Sequence, residues 1–310
     1  MDIRQLTTFV QVADLGSFSR AATLLRVAQP ALSRQVRALE VELHQTLFDR
    51  NGRGVTLTAG GQRLLAHARG ILQQVERARQ DMEDQRGAAS GLVSIGLPPS
   101  IGRTLTAPLV EAFRARFPKA ALTMVEGLST YTLEWLTQGR IDCAVVYNAT
   151  PAAAIEIQPV LDEPLFLVSA RARGGKGRAP RGALVGAPVT LAEVAAHELV
   201  IPSRPHAIRM RLETVLAECA RKPRVALEIE SVPAMLDLVE RHALHAVLAI
   251  AALRGSGREA ALSARPIVVA ARQPLTTTLW IATSAQRPRG PLLDQAVALV
   301  AELLRAQLGG

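Results

Sequence analysis

Apolar residues recur at helical spacing along the first 86 residues, then give way to short β-prone runs alternating with helical ones. Ile3, Leu6, Val10 and Ala13 share one face of a first helix. Ser17 precedes the segment from Phe18 to Leu25 and is placed to cap a second. Gln29, Pro30 and Ala31 open a third, where proline suits the first turn and Leu32, Val36, Leu39 and Leu43 make the buried stripe. Small residues (Ala21, Ala22, Ala28) stand where such helices cross, which describes a helix-turn-helix unit. The basic turn from Asp49 to Gly54 and the β-prone run from Val55 to Thr58 predict a hairpin wing beside it.

From Thr58 the helical pattern runs unbroken to about Arg86. Leu64, Ala68, Ile71, Val75, Ala78 and Met82 fall at alternating spacings of four and three, a heptad seam. So narrow a stripe suits pairing with a second helix, packing on its own domain being the competing reading. Residues 87–91, Gly-Ala-Ala-Ser-Gly, predict a hinge. Beyond it, strands are expected near 92–97, 121–126, 141–147, 155–161, 164–169, 199–202, 225–230, 246–250, 265–270 and 277–283. Helices are expected near 103–117, 131–138, 191–196, 207–220, 232–243 and 291–308. Alternation of this kind predicts parallel sheets flanked by helices. About 220 residues is generous for one such sheet, so two lobes are expected. The fold class is therefore multidomain α/β: an N-terminal winged helix-turn-helix, a long linker helix and a two-lobed α/β domain. The boundaries fall at 1–58, 59–90 and 91–310, with lobe I about 91–161 plus 266–310 and lobe II about 162–265.

Composition narrows the function. The chain has 310 residues, 49% hydrophobic and 20% charged, which excludes a disordered protein. Its formal charge of +9 admits an acidic partner such as nucleic acid. All but three of its 36 basic residues are arginines, the lysines being Lys119, Lys176 and Lys222. The excess is unevenly placed: Arg171, Arg173, Lys176, Arg178 and Arg181 share one Gly-rich segment that contains no acid. That segment reads as a solvated loop, and the DNA reading rests instead on where individual arginines sit.

Cys143 and Cys219 are far apart and outside any CxxC pattern, which argues against a disulfide scaffold and a zinc knuckle. His242 and His245 are three residues apart without a carboxylate or cysteine motif beside them, so no metal and no cofactor is expected. The start, MDIRQLTTFV, lacks the apolar core of a signal peptide, and the apolar run from His242 to Leu253 is too short to span a bilayer. A soluble, cytoplasmic protein is expected.

In this order the segments SFSRAATLL, VAQPALSRQVRALEVELHQTLFDR and GVTLTAGG, with the α/β half behind them, strongly resemble the LysR-type transcriptional regulators. The resemblance spans essentially the whole chain. In the second half, GLVSIGLPPSIG, GRIDCAVVY and IPSRPHAIR look most similar to the branch around the nitrogen assimilation control regulators. The resemblance implies a periplasmic-binding-protein-like effector domain and a homodimer or homotetramer. It also implies double-stranded promoter DNA and a small-molecule effector as partners, with RNA polymerase a further one.

A recognition helix presents its N-terminal side chains to the major groove. Gln29, Ser33 and Arg34 are the candidates for base edges, since Gln pairs with adenine and Arg with guanine. Pro30 and Ala31 suit a thymine methyl, and Arg37 lies on the same side. Ser17 and Ser19 suit capping or phosphate contact, and Arg50 and Arg53 on the wing suit the DNA backbone or minor groove. For each arginine a solvated surface is the alternative.

Three strand-to-helix junctions suggest a ligand cleft, because helix N-termini favour a carboxylate or other small anion. They contain Ser100 and Ile101, Ser129 and Thr130, and Pro202, Ser203 and Arg204. By resemblance Ser100, Thr130 and Ser203 line the inducer cleft; a plain helix cap is the alternative for each. Arg204 and His206 are additional candidates, Arg204 either gripping an anion or pointing into solvent. One departure stands out: the family's Gly-x-Gly turn reads Ala243-Leu244-His245 here, which removes easy access to positive φ. An α/β enzyme is the weaker alternative, since neither G-x-S-x-G nor G-x-G-x-x-G occurs in a fitting context. A solute-binding protein and an effector-independent DNA-binding regulator are the others.

Overall fold

The computed structural model describes residues 1–51, 54–84, 91–171, 185–254, 256–269 and 272–309. Arg53, most of the expected hinge and nearly all of the basic segment lie outside the described residues, as do the side chains of Arg50 and Met82. Two compact units emerge, residues 1–91 with 137–140, and residues 92–136 with 141–310.

The first unit carries helices α1 (Ile3–Leu15), α2 (Phe18–Leu25) and α3 (Gln29–Glu42), then strands β1 (Phe48–Asn51) and β2 (Gly54–Leu57), and the long α4 (Ala59–Asp84). Asp2 accepts the Gln5 N–H while the Gln5 side chain accepts the Asp2 N–H, a reciprocal cap. Ser17 caps α2 by accepting the Arg20 N–H at 3.3 Å, a bond whose loss costs about 1 kcal/mol. Leu6, Phe9, Leu32, Val36, Leu39 and Phe48 form one core. The Phe48 ring meets Phe9 at 5.2 Å and Phe18 at 5.7 Å, so the wing is fastened to the helices by aromatic packing.

The expected six-residue seam on α4 is divided. Ala68 is fully buried in this unit's own core, and Leu64, Leu65 and Leu72 pack against it. Leu65 and Leu72 widen the apolar stripe to that of a globular helix, so Leu64 and Ala68 are occupied before any second chain arrives. Further along, Val75 is half-buried, and Ile71 and Ala78 are exposed.

The second unit holds β3 (Gly91–Leu97), α5 (Pro99–Arg116), β4 (Ala120–Glu126), α6 (Ser129–Thr137), β5 (Cys143–Tyr147) and β6 (Ile155–Ala170). There follow β7 (Val189–Thr190), α7 (Leu191–Ala196), β8 (Glu198–Ile201), α8 (Ala207–Glu218), β9 (Arg224–Glu228) and α9 (Val232–His242). The last elements are β10 (Ala246–Ala249), a 3-10 turn (Ile250–Ala252), β11 (Leu262–Val268), β12 (Thr276–Ser284) and α10 (Pro291–Leu308).

The sheets are mixed rather than parallel throughout. β3 and β5 are parallel, but β12 runs antiparallel to both β5 and β6. The two strands expected at 155–161 and 164–169 are one long strand, β6. Its first part pairs with β12, and its last part with β10 and β11. Pro164 is tolerated because the ladder resumes at once, the Leu165 N–H donating to the Leu275 carbonyl at 2.8 Å.

This strand joins two lobes. One core gathers Ile95, Leu105, Val145, Leu279 and Leu304. The other lobe packs on both faces of β6: Leu165 and Leu167 face a core with Leu199 and Leu212, while Phe166 and Val168 face one with Met235 and Leu248. Alternation along a strand buried on both sides supplies both layers. No helix among the described residues is long and apolar enough to cross a membrane.

Candidate nucleic-acid interface and ligand cleft

Helix α3 is two-faced. Leu32, Val36 and Leu39 are fully buried, and Gln35 accepts the Thr8 hydroxyl at 2.6 Å, which sets the roll of α3 on α1. The opposite face leaves Gln29, Pro30, Arg34 and Arg37 exposed, with Ala31 and Ser33 half-buried at its margins. Gln29 donates to Ser33 Oγ at 3.1 Å, an i,i+4 pair along the first turns. Arg37 lies 3.7 Å from Glu40, whose other oxygen accepts the Leu47 N–H at 2.9 Å. Arg34 has no hydrogen-bond or ion-pair partner among the described residues. With Ala31, Ala38, Asp2, Arg4 and Gln5 it lines a shallow depression of about 440 Å³. Ser17 is used as a cap, whereas Ser19 is exposed at the start of α2. Arg4, from α1, is the group here that helical periodicity did not single out.

Between the two lobes of the second unit the expected junctions converge. Pro98, Pro99, Ser100, Leu128, Ser129, Tyr147, His206, Ala207, Glu230 and Val232 surround a narrow chamber of about 40 Å³. An opening of about 680 Å³ on the Ser100 and Glu230 side adds Arg103, Glu126, Ser256 and Arg258. A second, of about 690 Å³, on the Ser129 side adds Thr130, Asn148, Arg211, Thr276 and Trp280. Both openings are of a size that holds small ligands.

Tyr147 closes the chamber's floor. Its hydroxyl donates to Glu163 Oε2 at 3.2 Å and lies 3.4 Å from Ser100 Oγ, while its N–H donates to Ser129 Oγ at 3.0 Å. Glu163, 1% exposed on β6, also accepts the Ala251 N–H at 3.2 Å. Burial pushes the Glu163 carboxyl above its ordinary range, against the pull of the Ala251 N–H, the Tyr147 hydroxyl and Arg254. Burial, and then the charge of Glu163, push the Tyr147 hydroxyl up in turn. His206 caps α8: its Nδ1 accepts the Ile208 N–H at 3.3 Å, and burial lowers its pKa to about 4.

Four of the expected ligand contacts are not among the residues that line these spaces. Ile101 is fully buried in the lobe I core, its N–H closing the first turn of α5 on Pro98. Pro202 is buried and its carbonyl accepts from Arg209 at 2.9 Å. Arg204 is outside all three lining sets, its guanidinium 2.9 Å from Glu213 on α8. Ser203 acts one step removed, donating to Glu230 at 2.7 Å. Ser100, Ser129 and Thr130 do line the space.

Sequence reasoning passed over Tyr147, Glu163, Glu230 and Arg209. Arg209 is 8% exposed and bonded to Glu213 at 3.0 Å and Glu228 at 2.8 Å, so it holds the 201–206 turn in shape. A charged residue inside the apolar periodicity of β6 was the one available signal for Glu163. At the turn where glycine is missing, Ala243 itself takes positive φ, with φ 52° and ψ 22°. His245 stacks on His197 at 3.9 Å, and no cluster suited to a metal occurs among the described residues. Both cysteines are free, Cys143 buried and Cys219 exposed.

Two family descriptions match the chain: the LysR substrate binding domain over residues 86–306, and the bacterial regulatory helix-turn-helix protein, lysR family, over residues 3–62. The nitrogen assimilation regulatory protein nac of Escherichia coli is 38% identical over 233 residues, covering 75% of this chain and 73% of that protein. Its counterpart in Klebsiella aerogenes is 36% identical over the same shares. Among solved structures, CbnR, a LysR family transcriptional regulator, matches with a TM-score of 0.72 at 24% identity, covering 98% of this chain and 99% of its own. A full-length OxyR variant from Pseudomonas aeruginosa matches with a TM-score of 0.68 at 22% identity, covering 98% and 95%. At these identities the solved structures speak for the fold.

Proposed function

This chain belongs to the LysR family of DNA-binding transcriptional regulators, not to a family of enzymes, and we propose how its surfaces divide that work. Helix α3 reads promoter DNA with Gln29, Ser33 and Arg34 at base edges, and Pro30 and Ala31 at its leading end. Arg37, Ser17 and Ser19 contact the backbone, and Arg50 and Arg53 the backbone or the minor groove. The observation that carries this is Arg34, exposed and without an ion-pair partner among the described residues on a helix whose other face is fully buried. Replacing Arg34 by Ala removes one bidentate guanine contact, about 1–3 kcal/mol of discrimination. In a binding assay at matched salt, Arg34→Ala should show a preference for its operator over unrelated DNA that is weakened by about that amount, and keep the parent's melting temperature. Undiminished preference would refute the assignment.

The later part of α4, through Ile71, Val75, Ala78 and Met82, pairs two chains. The operator is then an interrupted dyad, and the working species a dimer or a tetramer. The division into 1–58, 59–90 and 91–310, with lobes exchanging near 161 and 266, is the reading behind this scheme. The protein works in the cytoplasm, with RNA polymerase as a further partner.

The α/β half takes a small effector in the cleft at Ser100, Ser129, Thr130 and Glu230, and the lobes pass its presence to the DNA-binding half. Helix N-termini at Ser100 and Ser129 support an anionic group on that effector. The narrowness of the central chamber, about 40 Å³, favours a second reading in which the protein acts without an effector. Stabilisation by a bound small molecule separates the two.

A further inference from the structure

The hydrogen-bond polarity of the cleft can be worked out atom by atom, and it restricts the ligand. Tyr147 has a single hydroxyl proton, committed to Glu163 at 3.2 Å. Toward Ser100, 3.4 Å away, it therefore offers a lone pair, so the Ser100 hydroxyl donates to Tyr147 and shows the chamber its own lone pairs. Ser129 is the reverse: its oxygen already accepts the Tyr147 N–H at 3.0 Å, and its proton is left to donate. His206 is fixed as a donor. Its Nδ1 accepts the Ile208 N–H at 3.3 Å, so the ring proton of this neutral imidazole is on Nε2.

These groups are sorted along the cleft. Ser100 and Glu230 border the opening that also holds Glu126. Among the described residues Glu230 accepts a hydrogen bond at one oxygen, from Ser203 at 2.7 Å, which leaves further lone pairs for a ligand. The carboxylate of Glu126 rests against Gly102, where an added Cβ would come within 2.3 Å of its Oε1. That glycine is what lets the carboxylate lie there. Of the two arginines on this side, Arg258 is held by Asp237 and by Glu240 at 2.7 Å, and Arg103 is also engaged. The opposite opening borders Ser129 and Thr130 and carries Arg211, with no carboxylate among its described lining residues. Glu230 and Glu126 thus supply acceptors at one end of the cleft, beside two arginines already engaged elsewhere, and Ser129, Thr130 and Arg211 supply donors at the other.

We propose that the effector of this cleft is amphoteric: an α-amino acid or close derivative, its ammonium group on Glu230 and Glu126 and its carboxylate on His206, Ser129 and Arg211. The assignment rests on the effector reading above and sharpens its anionic half. A simple dicarboxylate would set a second negative charge against Glu230 and Glu126, without a proton to offer them.

The test is a thermal-shift and calorimetric comparison on the full chain with three matched panels at one pH and concentration. These are the common amino acids, the carboxylates that lack their amino group (acetate for glycine, succinate for aspartate) and the amines that lack their carboxylate. The expected result is stabilisation by at least one amino acid, with binding at least tenfold weaker for both of its truncated partners. Glu230→Gln should weaken that amino acid at least tenfold, and Glu126→Gln carries the same test should the first variant fold poorly. Equal binding by the carboxylate alone, or an unaffected Glu230→Gln, overturns the amphoteric assignment and leaves the effector cleft standing. No stabilisation from any panel overturns both.

Discussion

Two adjacent glycines at the start of α4 face opposite fates on gaining a methyl group. At Gly61 a Cβ would lie 2.1 Å from the Leu47 carbonyl oxygen and 2.9 Å from Leu57 Cδ2. At Gly60 the nearest atom is the side-chain oxygen of Gln45, at 3.1 Å. Ordinary contact begins at 3.4 Å, so Gly61→Ala requires the backbone at Leu47 to withdraw by more than an ångström. That carbonyl also accepts the Thr58 N–H at 3.0 Å, and Leu47 itself is 1% exposed. Overpacking of this kind costs about 1–3 kcal/mol, and weakening the bond adds about 1 kcal/mol. Helix propensity returns about 1 kcal/mol, because alanine orders more cheaply than glycine. Gly61→Ala is therefore expected to destabilise the first unit by about 1–3 kcal/mol. At Gly60 the obstacle is the end of an exposed, flexible side chain, so the propensity gain decides and the change is neutral or stabilising by up to about 1 kcal/mol.

The assay is urea unfolding of the full chain, followed by far-ultraviolet circular dichroism and by tryptophan fluorescence. Both tryptophans, Trp135 and Trp280, lie in the second unit, so fluorescence reports that unit alone. Gly61→Ala should move the dichroism transition of the helical unit down by roughly 1 M urea and leave the fluorescence transition in place. Gly60→Ala should move neither downward. Equal destabilisation by the two substitutions, or none by Gly61→Ala, would refute the contact argument.

Two further outcomes follow from the second unit. Ala243 sits in the left-handed region at φ 52°, where a side chain costs about 1–2 kcal/mol, partly offset by the greater freedom of an unfolded glycine. Ala243→Gly should raise the urea midpoint read by fluorescence, by about 0.5–1 kcal/mol in stability; a loss instead would show that the strain is absent. For Glu163 the folded carboxyl lies above the ordinary value of 4.5, so its contribution to stability is full below 4.5 and is lost as pH rises through the raised folded pKa. Glu163→Gln should therefore flatten the fall in stability on the alkaline side of 4.5. An unchanged pH slope would assign that fall to other groups.

Much of the DNA-binding half was legible because its logic is local. Ser17 before an apolar run, Pro30 in a first turn and a three-four spacing of leucines each specify a helix and its buried face without reference to distant residues. The exposed position of Arg34 follows as the complement of Leu32, Val36 and Leu39. The expected seam on α4 is divided, because periodicity reports which side of a helix is apolar but not which partner covers it. Leu64 and Ala68 are covered by the chain's own α1 and α3 core, and Ile71 and Ala78 are not.

The cleft shows the opposite balance. By itself the sequence determined that two α/β lobes follow a winged helix-turn-helix, and that serines at strand-to-helix junctions would meet between them. Alternation and capping are properties of a few neighbouring residues, so they survive without a fold. Only the tertiary structure decided which side chains face the space. Glu213 draws Arg204 away, Arg209 holds the turn beneath it, and the long strand β6 carries Glu163 under Tyr147. Those bonds join residues far apart in the chain, and a buried charge takes its partner from whatever the fold brings near, which no local pattern records. From the sequence, an arginine at a junction could grip an anion or point into solvent; in the folded protein Arg204 is exposed and paired with Glu213.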